Sequence, residues 1–122
     1  LATNLDRYTI PKDVEVYEIN GPYFFGAGNK FEEVMAAFGD RPKVRVIRMR
    51  KVPFVDSTGI HNLTNLCNMS TKEGIQVVLS GVSEKVNAQL EHARFYDLLG
   101  KENICDHISK ALKRAEEITK EK

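Results

Sequence analysis

The chain has 122 residues, of which 42% are hydrophobic and 29% charged, and its formal net charge is +1. These values fit one globular domain with a real core, and they argue against a strong electrostatic commitment to nucleic acid or to an acidic membrane surface. No apolar run reaches the roughly 20 residues that a membrane-spanning helix needs, and no segment reads as a signal peptide.

Residues 1–12 lack periodicity and end in Ile10-Pro11-Lys12, which suggests a lead-in, with the domain occupying 13–122. The start, Leu1-Ala2-Thr3 without Met, suits a piece of a longer protein. Val14–Ile19 alternates apolar and charged residues, the period of a half-exposed strand. Asn20-Gly21-Pro22 turns, and Tyr23-Phe24-Phe25 predicts a short strand paired with the first. Gly26-Ala27-Gly28-Asn29 then enters a helix with Phe31, Val34, Met35 and Phe38 inward, closed by Gly39.

Val44–Met49 reads as a strand, followed by Lys51-Val52-Pro53-Phe54 and then Val55-Asp56-Ser57-Thr58-Gly59-Ile60. Ile60, Leu63, Leu66 and Cys67 mark one face of a helix running to about Lys72 and stopping at Gly74. Ile75–Ser80 is a continuous apolar run, expected for a strand covered on both faces. Gly81-Val82-Ser83 leads into a helix with Val86, Leu90 and Ala93 inward, and Phe95–Gly100 reads as an irregular packed continuation. Asn103-Ile104-Cys105 is a short strand at most. A last helix from about Asp106 puts Ile108, Ala111, Leu112, Ala115 and Ile118 on one stripe, with Glu116 and Lys120 spaced to pair on the other face. The order β-β-α-β-α-β-α-β-α implies an α/β fold: a mixed, mainly parallel sheet of four to five strands with about four helices. Functional groups of such sheets gather at the carboxyl ends of the strands.

Few residues of the chain form a chemical motif. Gly26-Ala27-Gly28-Asn29-Lys30 lacks the Lys-Ser/Thr of a phosphate loop, and Phe31 stands where a dinucleotide fingerprint needs its third Gly. His61, His92 and His107 fall in three separate helices without metal-ligand spacing, although His61 is one turn from a helix start and within reach of a ligand there. Asp56-Ser57 is not a G-x-S-x-G elbow, and nothing assembles a triad. The chain reads as a non-enzyme without cofactor or metal. Cys67 and Cys105 have no C-x-x-C spacing, and Cys67 on an apolar helix face is expected to be a reduced, buried thiol. Arg45, Arg48, Arg50 and Lys51 are read as a solvated strand edge rather than an anion patch. Asp56-Ser57-Thr58-Gly59 has two meanings: a helix cap, or a switch in which a hydroxyl takes a phosphate.

At this motif the chain resembles the STAS domain, the module shared by sulfate-permease (SulP) anion transporters and bacterial anti-sigma-factor antagonists. The resemblance spans Val14 to Ile118. Asp56-Ser57-Thr58-Gly59 stands at the family's Asp-Ser-[Ser/Thr]-Gly loop, Asn20–Gly26 is similar to the Gly-Pro-Leu-Phe-Phe segment of the transporter branch, and Phe95–Ile104 with Asp106-His107-Ile108 follows that branch too. The resemblance implies a non-enzymatic regulatory domain at the cytoplasmic C-terminus of a membrane transporter of sulfate or related anions. Its partners would be the transporter's membrane part and a cytosolic regulatory protein or kinase, not nucleic acid. It implies a regulatory or phosphoacceptor loop at Asp56, Ser57, Thr58 and Gly59, with Thr58 at the antagonists' phosphorylated position. Gly21, Phe24, Phe25, Gly26, Pro53, Phe54 and His61 would lie near a ligand or partner, and weak nucleotide binding has been suggested for some members. The other readings are a free-standing antagonist switched at Thr58 and a weak nucleotide-binding module at the carboxyl ends of the strands. Ala27 and Arg94 depart from the family pattern, which tends to have Asn and Gly there; the first puts an inherited ligand site in doubt, and the second requires another helix cap or a helix that continues further.

Overall fold

The computed structural model describes residues 8–19 and 42–121. Three parallel strands, β1 (Val14–Glu18), β2 (Val44–Arg48) and β3 (Gln76–Ser80), form a sheet in the order β1-β2-β3. Helix α1 (Ser57–Lys72) joins β2 to β3. After β3 come α2 (Glu84–His92), the short α3 (Phe95–Leu99), a 3-10 turn (Lys101–Asn103) and α4 (Ile108–Glu121). Ile104 adds a single parallel bridge to Leu79, so the doubtful last strand is one residue pair. The predicted strand at Tyr23–Phe25 and the helix after Gly26 lie outside the described residues.

Because side chains alternate along a strand, the sheet sorts its residues into two cores. Ile19, Ile47, Met49, Val77 and Leu79 face α1, α2 and α3, meeting Leu63, Leu66, Cys67, Val86, Leu90 and Phe95. Val14, Val44, Val46 and Val78 face α4, meeting Ile108, Ala111, Leu112, Ala115 and Ile118. The apolar run in β3 therefore serves both faces, as its lack of alternation predicts. The α4 stripe is buried along its whole length, and Glu116 pairs with Lys120 at 3.8 Å on the exposed side. Cys67 is fully buried, and burial pushes its thiol up to about 12.

The arginines overturn one expectation. β2 is the central strand, and Arg45 and Arg48 are each only 4% exposed, so they do not form a solvated edge. Arg45 points to the α1 side, where its Nη1 donates to Ser70 Oγ at 2.9 Å while its Nε is buried without a hydrogen-bond partner. Arg48 points to the α4 side and lies 3.6 Å from the Glu18 carboxylate.

Arg94 answers the capping question. It adopts the left-handed conformation itself (φ 69°), the position glycine usually fills after a helix, and its Nε donates to Asp97 Oδ2 at 2.9 Å. A Cβ in that region costs about 1–2 kcal/mol, more than an exposed ion pair returns. Arg94→Gly should therefore hold or raise the melting temperature, whereas the β-branched Arg94→Val should lower it. Thermal denaturation of the two variants checks this, and a clear drop for the glycine variant would refute it.

Candidate functional site

The site is built where the chain leaves β2. Met49 N donates to Ser80 O at 2.7 Å and Val52 N to Met49 O at 3.0 Å, which turns the chain out over the carboxyl ends of the strands. Val52 and Val55 are buried anchors, while Pro53 and Phe54 between them are exposed. Phe54 is 39% exposed, and Lys85 Nζ stands 5.8 Å from its ring centroid. Val55 is tied to α2 by both of its backbone polar groups: its N–H donates to Gln89 Oε1 at 2.8 Å, and its carbonyl accepts from Gln89 Nε2 at 3.0 Å.

Next comes the helix start. Asp56 is the N-cap of α1, its Oδ1 accepting from Gly59 N at 2.6 Å and its carbonyl from Ile60 N at 2.9 Å. The cap duty thus falls on the carboxylate. Ser57 and Thr58, in the first turn, are exposed, and Gly59 is buried beneath them. A negative group added to either hydroxyl would meet the positive end of a 16-residue helix on one side and Asp56 on the other.

Beside this turn runs an open, largely apolar groove of about 580 Å³ between α1 and α2, with Val55, Ser57, Ile60, Gln89, His92 and Ala93 on its walls. Lys85 and Gln89 join the site without a local signal in the sequence, being polar residues on a helix surface, and His92, which the sequence offers only as a histidine without metal-ligand spacing, lines the groove. His61, by contrast, is exposed and pairs with Asn65 one turn on (3.2 Å) rather than lining the groove. Gly21, Phe24, Phe25 and Gly26 lie outside the described residues. Among the described residues no group of three His, Cys, Asp or Glu is placed to hold a metal ion. What the geometry offers is a rigidly held turn presenting hydroxyls and an aromatic ring beside an apolar furrow.

The STAS domain family model matches residues 7–111. The chain belongs to the STAS domain family. Its fold is that of a sulfate transporter family protein from Wolinella succinogenes, with a TM-score of 0.88 and 38% identity over 96% of each chain. The SulP transporter STAS domain of Vibrio cholerae matches with a TM-score of 0.82 and 33% identity over 93% of this chain and 89% of that one. Sulfate transporter 1.2 of Arabidopsis thaliana is 36% identical over 73 residues, which are 60% of this chain and 11% of that protein. The domain spans less than a fifth of the length of the curated relatives it matches. In this STAS domain the Asp-Ser-Thr-Gly motif is the junction between β2 and α1, and no helix among the described residues is long and apolar enough to cross a membrane.

Proposed function

We propose that this STAS domain is a non-enzymatic regulatory module, carried at the cytoplasmic C-terminus of a membrane anion transporter and acting through contact at the start of α1. Its homology to transporters several times its length supports the first part. The second rests on one observation: Asp56 alone caps α1, which leaves the exposed Ser57 and Thr58 hydroxyls available beside an apolar groove and an exposed Phe54. A phosphate on Thr58 would add roughly −1.5 to −2 charge next in the chain to Ser57 on the groove wall, enough to repel an apolar or acidic partner surface without unfolding the helix it sits on. The partner is the transporter's own membrane part or a cytosolic regulatory protein, and the kinase would recognise this turn.

The test uses the full-length transporter and sulfate uptake, sulfate being the anion named for the relatives. Phe54→Ser and Thr58→Glu should each change the uptake rate at least twofold at equal membrane abundance, while Thr58→Ala should leave the unmodified rate intact. Uptake unaltered by both Phe54→Ser and Thr58→Glu would sink the reading.

A further inference from the structure

The α4 face of the sheet carries valines in its first rows, apart from Gln76 on β3, and then changes character. Its last row, at the carboxyl ends of the strands, is Glu18–Arg48–Ser80 in register across β1, β2 and β3. Arg48 is 4% exposed and Ser80 1%, so a cation and a hydroxyl have been taken from water at the edge of an apolar face. The Ser80 hydroxyl has no hydrogen-bond partner. Buried hydroxyls are nearly always satisfied, so one left unsatisfied asks what it is for.

Ser80 lines a cavity of about 310 Å³, at the lower end of the range for small-molecule sites. Around it stand Arg48, Arg50, Lys51, Asp106 and His107, with Ile108 marking the start of the 14-residue α4. Glu18 is shared by Arg50 at 2.9 Å, Lys51 at 3.2 Å and Arg48 at 3.6 Å. Burial works against the Glu18 carboxylate, but the hydrogen bonds from Arg50 and Lys51 hold it below the usual carboxylate range, so it is ionised and still serves three cations. Asp106 is engaged by Lys110 at 2.9 Å. Among the described residues the cavity thus brings three cationic side chains, a buried hydroxyl without a hydrogen-bond partner and the positive end of a helix to one point.

We propose that this cavity binds a tetrahedral oxyanion of the phosphate or sulfate type. Arg48 and Arg50 supply planar donors suited to two oxygens, Lys51 a point charge at the mouth, and the Ser80 hydroxyl a hydrogen bond from the floor. The site lies on the α4 side of the sheet, whereas the Asp56 turn lies on the α1 side, and the inference is independent of the regulatory reading.

The experiment titrates the isolated chain with sodium phosphate and with sodium sulfate at fixed ionic strength, following backbone amide shifts. The Vibrio cholerae STAS domain was solved as a separate unit, and this chain corresponds to nearly all of it. Saturable shifts are expected at the amides of Arg50, Lys51, Ser80, Gly81 and Ile108, with sodium chloride producing none. Ser80→Ala removes a hydroxyl that makes no hydrogen bond in the fold, so it should keep or raise the melting temperature while weakening phosphate binding about tenfold. Lys51→Gln should weaken it about threefold, and Lys72→Gln, the same charge change at an exposed site outside the cavity, should leave it unchanged. Tighter binding of ATP with the same amides shifting and the same dependence on Ser80 would support the site and make the oxyanion a nucleotide's phosphate. No saturable shift for any of these anions, or Ser80→Ala binding as tightly as the parent chain, would overturn the proposal.

Discussion

Gln89→Leu is expected to lower the folding free energy by about 2–3 kcal/mol and to release the segment that presents the Asp56 turn. The side-chain amide of Gln89 does for Val55 what a neighbouring strand would do, accepting from its N–H at 2.8 Å and donating to its carbonyl at 3.0 Å. Val55 is buried (3% exposed), so the pair is removed from an environment where water substitutes poorly. Each backbone group left without a partner costs about 1–3 kcal/mol, discounted here because Gln89 is only partly buried and some water can enter. Leucine keeps the packing of the methylenes, so the loss isolates the amide. Urea denaturation should show a lower midpoint with an unchanged m-value, and hydrogen exchange at the Val55 amide should approach that of an exposed loop. Gln89→Glu adds a test of sign. The ionised carboxylate still accepts from Val55 N–H but sets its other oxygen against the Val55 carbonyl, which raises the glutamate pKa in the fold. Its deficit should therefore be largest at neutral pH and shrink as the pH falls and the carboxyl gains the proton it needs to donate. If the leucine variant lies within about 0.5 kcal/mol of the parent and Val55 stays protected, the clamp does not hold the loop.

The contrast between what could and could not be read from the sequence follows the reach of each interaction. The stripe Ile108, Ala111, Leu112, Ala115, Ile118 is a local period, and all five positions are buried against the sheet as that period requires. The run Ile75–Ser80 announced a strand with two covered faces, and Val77 and Val78 do enter opposite cores. Ser83 caps α2 by accepting from Val86 N at 3.2 Å, again a local event. Arg45 and Arg48 were misread because residue type says solvent, while the order β1-β2-β3, set by the non-local pairing of β2 with both neighbours, says interior. At the candidate site, Asp56, Ser57 and Thr58 are all competent caps by chemistry, and only the backbone geometry assigns the duty to Asp56 and leaves the hydroxyls exposed. Gln89 was invisible because its partner is 34 residues away in the chain and is a backbone group, which has no letter in the sequence. The pocket around Ser80 was hidden for the same reason: its row exists only once three strands are in register.

Gly81→Ala should cost about 2–4 kcal/mol, well beyond the roughly 1 kcal/mol expected for Gly74→Ala, and the difference measures a contact rather than a conformational preference. Both glycines have positive φ, 79° at Gly74 and 67° at Gly81, so both substitutions carry the steric cost of a Cβ in the left-handed region. Their surroundings differ. A Cβ on Gly74, at the end of α1, would meet nothing within 4 Å. A Cβ on Gly81 would fall 2.8 Å from Arg50 N, 2.9 Å from Arg50 Cβ and 3.0 Å from Arg50 Cα. Backbone cannot swing aside as the end of a flexible side chain can, so either the turn after β3 or the turn after β2 must move. Both turns matter: the first leads to Ser83 and α2, and the second carries Arg50, whose Nε donates to Glu18 at 2.9 Å. Displacing it should loosen the Glu18 cluster as well as the fold. Because the folded state holds Glu18 below its ordinary pKa, the stability this supplies is present above the carboxylate range and is lost as pH falls through the depressed value. Gly81→Ala should accordingly flatten the acid side of the stability profile, while Gly74→Ala should shift the whole profile down and leave its shape alone. Denaturant titrations of the two variants at pH 3 to 7 separate these outcomes. Equal losses with parallel pH profiles would mean that the close approach of Gly81 to Arg50 does not constrain the cluster.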